Sequence, residues 1–245
     1  MGSGGSILTL PVLVYIKGMP AHEGIEDSMF IVGIVALAGM IRYAFKKEVS
    51  YVLALIVVFP SLLTVYLTRK YFLPLIPDLL LSLYGWSLSK NMLLMGIFAL
   101  VMIAAAWMML RNSKTNQTTL HTGLKEKILA IISGSVVGVI TGLVGAGGGF
   151  LIVPSLVNGL GMDMRKAVGT SLFIIFINTW WGFFSDGVRA NTDWNYLLIF
   201  SGIAIAGMLL GVWISGKMNA AALKKGFGYF IIVMGVFILV KEFWF

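Results

Sequence analysis

Two short strings hold the residues best suited to chemistry: "GSGGSILTLPVLV" (residues 2–14) and "GAGGGFLIVPSLV" (145–157). In the first, Gly4, Gly5 and Ser6 precede Pro11; in the second, Gly147, Gly148 and Gly149 precede Pro154. Glycine permits positive φ and lets a ligand approach the backbone closely. Where a helix begins at such a point, its free N–H groups and partial positive charge form an anion site without a buried Lys or Arg. Proline then keeps a regular helix from running across the break. Close helix packing is the competing use of the same glycines, but duplication of the whole Gly-Gly plus Pro module favours a ligand. A nucleotide P-loop is a poor fit, because no Lys-Ser or Lys-Thr follows either cluster.

Nearby side chains could complete such a site. Ser28, Thr170 and Ser171 offer neutral hydroxyl donors just after each motif, and Asn178 lies seven residues beyond Ser171, on the same helical face. In membrane helices such hydroxyls commonly bond their own backbone or a neighbouring helix instead. Glu26 and Asp27 fall near the start of an apolar run, where a carboxylate is functional by default. Proton coupling is one use for them; interfacial placement beside a helix N-terminus is the other. A Na⁺ site built from backbone carbonyls would leave no readable signature. His22 and His121 stand alone, so no metal site, cofactor or Ser-His-Asp set is expected, nor any catalytic residue. The absence of cysteine excludes disulfides and a thiol nucleophile.

These residues are carried by elements of membrane type. The 245 residues are 59% hydrophobic and 11% charged, with mean hydropathy +0.95, against about 25% charged in soluble domains. Runs near the ~20 residues needed to cross a bilayer occupy 25–45, 49–67, 92–110, 128–144, 168–184, 196–215 and 227–240. An all-α polytopic membrane protein is the expected fold. The net charge of +8 sits in the short connections between these runs, as the positive-inside rule requires, and this excludes nucleic-acid binding. No three-part secretory signal is visible at the N-terminus.

A shift of 143 positions aligns residues 2–31 with 145–174 without a gap, pairing Gly2/Gly145, Gly4/Gly147, Gly5/Gly148, Pro11/Pro154, Gly18/Gly161, Met19/Met162 and Ser28/Ser171. Two homologous repeats follow, 1–110 and 128–245, joined by a polar cytoplasmic linker at 111–127. The run 128–144 leads into the second motif, and its counterpart would lie ahead of Met1, so the first repeat is expected to lack its leading helix. With Arg42, Lys46, Lys47, the linker, Arg165, Lys166, Lys217, Lys224 and Lys225 all cytoplasmic, 128–144 and 168–184 both run outward. The glycine-broken membrane segment between them must carry the chain back, and the repeats are inverted, as in many secondary transporters. Arg69 and Lys70 fall on the wrong side of this scheme, and 72–86 reads as interfacial or re-entrant.

"GLVGAGGGFLIVPSLV", "KAVGTSLFIIFIN", "DWNYLL" and "GVWISGKMNAAALKKGFGYFIIVMGVFILVKE" resemble the sulfite exporter TauE/SafE family. "GSGGSILTLPVLVY" with "SMFIVG" resembles the same family's amino-terminal repeat. The resemblance implies a multi-pass permease of the bacterial inner membrane for small, often sulfur-containing anions such as sulfite, thiosulfate or organosulfonates. A secondary transporter working by alternating access is therefore expected. A passive anion channel or a non-transporting scaffold is the alternative; an enzyme is not expected. A small anion and the lipid bilayer are the expected partners, with H⁺ or Na⁺ as the coupling ion and a homo-oligomer left open.

Overall fold

The computed structural model describes residues 6–77, 79–83, 86–111, 124–144, 148–185, 193–215 and 218–244. The chain begins with a short helix, α1 (Ser6–Pro11), which widens into a π-helical turn at Val12–Ile16 and leads to α2 (Ala21–Phe45) and α3 (Tyr51–Leu67). A second π-turn (Thr68–Phe72) and the single turn α4 (Leu73–Leu75) extend α3. Next come two short antiparallel strands, β1 (Leu79–Leu83) and β2 (Trp86–Ser89), and then α5 (Lys90–Leu110). The remainder is α6 (Leu124–Val144), α7 (Gly149–Pro154) with a π-turn at Ser155–Gly159, α8 (Met164–Ser185), α9 (Trp194–Ser215) and α10 (Ala220–Trp244).

Six helices among the described residues are long and apolar enough to cross a membrane. Their backbone polar groups are satisfied within each helix, which is why an apolar run of this length folds as a helix in lipid. The segment expected to be interfacial or re-entrant holds the end of the second π-turn, α4 and the strands.

The middle of the fold is the pair α2 and α8, which run antiparallel. Gly33 lies against Trp180, Gly39 against Leu172, and Gly169 against Tyr43 and the Glu48 carbonyl. Small residues let these backbones approach, since lipid offers no hydrophobic drive for helices to associate. α3 packs on α8 and α9 on α2. α6 runs parallel to α3 with Gly134, Gly138 and Gly142 seated against Val57, Ser61 and Thr68 in turn. α5 and α10 pack antiparallel, with Gly235 against Ile103 and Gly228 against Leu110. Enclosure is uneven: 67% of the apolar stretch of α8 is buried, against 17% for α9.

The elements recur at the shift read from the sequence. α1, its π-turn, α2 and α3 begin at Ser6, Val12, Ala21 and Tyr51; α7, its π-turn, α8 and α9 begin at Gly149, Ser155, Met164 and Trp194. Contacts recur too. Gly39 of α2 receives Leu172 of α8, and Gly182 of α8 receives Met29 of α2, with Cβ positions 2.9 and 2.7 Å from the partner atoms. Both glycines and both partners are related by the same 143-residue shift, so each helix gives the other what it takes.

Candidate functional site

Each Gly-Pro motif builds a short helix, a wide turn and a glycine stop. Pro11 and Pro154 end α1 and α7, at the point where the helix widens. The wide turns close through Lys17 N–H to Val12 O and Leu160 N–H to Ser155 O, both at 3.2 Å. Gly18 and Gly161 follow with φ of +71° and +64°, the left-handed backbone that a glycine helix stop requires. Met19 N–H and Met162 N–H then reach back to Leu13 O and Leu156 O at 3.2 and 3.0 Å.

Gly4, Gly5 and Gly147 lie outside the described residues, and Ser6 opens α1. Gly148 has φ +60° and caps α7, which Gly149 opens. Its carbonyl accepts from Leu151 N–H and Ile152 N–H at 2.9 and 3.1 Å. A Cβ at Gly148 would overlap the Thr141 hydroxyl and stand 2.9 Å from Val137 Cγ1, so α6 crosses directly over this glycine. The buried Thr141 Oγ1 has no hydrogen-bond partner among the described residues.

The other expected site residues divide by role. Ser28 and Ser171, both fully buried, donate to their own helix at Ile25 O and Val168 O, each at 2.8 Å. Thr170 Oγ1 accepts from Ser50 N–H at 2.9 Å and so ties α8 to the start of α3. Asn178 reaches across to α3, where Ser61 Oγ lies 2.8 Å from its Oδ1 and equally near Val58 O. Ser61 has one proton for these two acceptors; with the amide turned over, Nδ2 donates to Ser61 Oγ and Ser61 donates to Val58 O. In either orientation one end of the buried Asn178 amide has no partner among the described residues. Glu26 is half-buried and Asp27 buried, near the start of α2.

Sequence reading did not mark five residues as contributors: Ser61, Thr64, Thr68, Tyr15 and Arg69. Ser61, Thr64 and Thr68 lie at three- and four-residue spacing along the edge of α3 that meets α6. Tyr15, in the first wide turn, donates to the Glu242 carboxylate of α10 at 2.8 Å. Arg69, which broke the charge scheme, is 5% exposed on the second π-turn and donates through Nη1 to Met29 Sδ at 2.9 Å. It lines a cavity of about 270 Å³ with Tyr66, Lys70, Pro74 and Ser185. Lys70 Nζ donates to Tyr66 Oη at 2.6 Å. No rule of position marks Arg69 as buried, because a cation at the end of an apolar run ordinarily marks the exit into water.

The donor-bearing groups on these elements are the Gly148–Gly149 backbone, the Thr141 hydroxyl, the Asn178 amide and the buried Arg69 guanidinium, which also donates to Met29 Sδ. Such a set suits a small hydrogen-bond-accepting anion. Among the described residues no group of three or more His, Asp or Glu could hold a metal ion.

Six apolar helices of spanning length define a multi-pass membrane protein. The chain belongs to the sulfite exporter TauE/SafE family, whose model matches residues 1–238. A probable membrane transporter protein of Xylella fastidiosa is 29% identical over 254 residues, covering 98% of this chain and 88% of the relative. The probable membrane transporter protein YunE of Bacillus subtilis is 23% identical over 248 residues, covering 92% and 83%. A probable membrane transporter protein of Methanocaldococcus jannaschii is 34% identical over 115 residues, covering 44% and 43%. No solved structure matches.

Proposed function

We propose that this membrane transporter carries a small, sulfur-containing anion such as sulfite, thiosulfate or an organosulfonate. The substrate binds between the two Gly-Pro elements, and the inverted repeats 1–110 and 128–245 rock around it by alternating access in a bacterial inner membrane. The observation that carries this reading is the reciprocal contact of Gly39 with Leu172 and Gly182 with Met29, on antiparallel helices of like position. Equivalent helices that meet antiparallel and exchange the same contact are what two inverted copies produce. Gly4, Gly5, Ser6, Gly147, Gly148 and Gly149 supply backbone donors, with Thr141 and Asn178 adding neutral ones. Ser28, Thr170 and Ser171 are assigned mainly to holding the helices in place. Glu26 and Asp27 are the candidates for proton coupling. The identification of the anion as sulfur-bearing rests on the family.

Reconstituted protein tests this. Labelled sulfite and thiosulfate should accumulate in vesicles above the outside concentration when a proton or Na⁺ gradient is imposed. Gly148→Leu and Gly5→Leu should abolish accumulation in protein that still unfolds cooperatively. Equilibration without accumulation under either gradient would mark a channel, and transport unchanged in both variants would remove the glycines from the site.

A further inference from the structure

Arg69 and Lys70 are the two cations that the positive-inside scheme leaves on the outer side, where Lys and Arg are least expected. They are consecutive on the second π-turn, and with Tyr66, Pro74 and Ser185 they line the cavity of about 270 Å³. The described residues that line it include neither the Gly-Pro motifs nor Thr141 or Asn178. We propose that this cavity is a second anion site, holding an oxyanion of sulfur or phosphorus between Arg69 at its base and Lys70 at its mouth. The proposal goes beyond the site between the Gly-Pro elements, and only its assignment to the outer side rests on the inverted-repeat reading.

The two cations stand at different depths, Arg69 buried and Lys70 exposed. The contact from Arg69 Nη1 to Met29 Sδ positions the guanidinium without neutralising it, since a thioether is a weak, uncharged acceptor. Met29 is held in turn against Gly182 of α8, so the central helix pair seats the cation. A planar guanidinium presents its N–H groups as a fork that matches an oxyanion. Lys70 Nζ, bonded to Tyr66 Oη, also lies 5.0 and 5.8 Å from the ring centres of Tyr66 and Tyr71. Tyr66 Oη accepts from Lys70 and keeps its own proton to donate. Ser185 gives its proton to Gly182 O at 2.9 Å and so shapes the wall. Two cations and no carboxylate stand among the described lining residues, a balance of sign that draws anions. The 143-residue shift carries Tyr66, Arg69 and Lys70 to Leu209, Val212 and Trp213. Packing common to both repeats is duplicated, as the contacts of Gly39 with Leu172 and Gly182 with Met29 are; the cation pair is not. The site therefore belongs to one end of the molecule.

The chain has no cysteine, so Ser185→Cys places a single thiol on the cavity wall. The full chain, in phosphatidylcholine vesicles, would be treated with a sulfonate-bearing methanethiosulfonate and with an uncharged one. Relative to their rates with a free thiol, the anionic reagent should be favoured at least about five-fold, and sodium sulfate should protect the thiol saturably. Arg69→Gln should raise the half-protecting sulfate concentration at least about ten-fold, the measure of a charge-assisted hydrogen bond, and Arg69→Lys by less. Lys70→Gln should raise it about two- to five-fold; this exposed position keeps the test open if thermal unfolding shows Arg69→Gln to be misfolded. Exposed Leu67, Tyr71, Phe72 and Leu75 flank the two cations in sequence, so the phosphate of a lipid is a second source of the same chemistry. Sulfate protection in phosphatidylcholine identifies a free anion; protection by added phosphatidylglycerol that sulfate cannot increase identifies the lipid. Protection by neither, or equal protection by sulfate in the parent and both glutamine variants, would overturn the proposal. Gly148→Leu should leave protection unchanged; protection lost in that variant would merge the two sites and overturn the proposal as well. Accumulation that survives Gly148→Leu would refute the Gly-Pro site and leave this one standing.

Discussion

Replacing Gly148 by alanine separates two costs that the structure superposes at one residue. The first is backbone: Gly148 sits at φ +60°, ψ +10°, where a Cβ costs ~1–2 kcal/mol. The second is space, because the added methyl overlaps the Thr141 hydroxyl and lies 2.9 Å from Val137 Cγ1; overpacking of this kind costs ~1–3 kcal/mol. Together they predict a loss of ~2–5 kcal/mol. In a Thr141→Ala background much of the overlap disappears and the backbone cost remains, so the same substitution should cost ~1–2 kcal/mol more than its background plus whatever Val137 still resists. The coupling between the two positions should therefore be favourable, up to ~3 kcal/mol. Purified protein in mixed micelles, unfolded by denaturant and followed by tryptophan fluorescence, supplies all four corners of the cycle. A Gly148→Ala variant within ~0.5 kcal/mol of the parent, a difference ordinary for an unconstrained surface site, would refute the crossing of α6 over this glycine. Additive effects would refute the overlap specifically.

Three further outcomes follow from the same contacts. Gly138→Ala should destabilise by ~1–3 kcal/mol because the backbone of α3 blocks the methyl, while Gly207→Ala, in open space, should be neutral or slightly stabilising by helix propensity; thermal unfolding of the pair decides it. Asn178→Ala should cost ~0.6–1.7 kcal/mol, the range for hydrogen bonds between membrane helices, and Ser61→Ala should add little in that background. Arg69→Leu should raise the anion concentration needed for half-maximal uptake several-fold, with Arg69→Lys restoring part of the loss; identical uptake curves would exclude the cavity from the anion's path.

Much of the architecture could be read in advance because its signals are local. Runs of apolar residues announced the helices, and the repeat match paired Pro11 with Pro154 and Gly18 with Gly161, though not the turn that these glycines close. The π-turns themselves were not readable: a π-turn accommodates one extra residue and has no residue preference comparable to a proline or a left-handed glycine. Arg69 was misleading for a related reason. A cation at the end of a hydrophobic run normally marks the exit into water, but the chain keeps its helical course through Thr68–Phe72 and returns the guanidinium to the interior. The Ser61–Asn178 contact joins residues 117 apart, and no spacing rule reaches that far. Ser28 and Ser171 behaved as local rules suggest, each bonding the carbonyl three residues back.

The pairing of α5 with α10 has a consequence for how the chain is made. The buried side of α5, with Met95, Phe98, Ala99, Met102 and Ala106, closes against α10, a helix that follows it by more than a hundred residues. At ~5–20 residues per second, synthesis from Leu110 to Trp244 takes roughly 7–27 s, and through that interval α5 is already in the bilayer without its permanent neighbour. Its methionines and alanines are apolar enough to wait in lipid, and this pairing forms only when the 25 residues of α10 arrive.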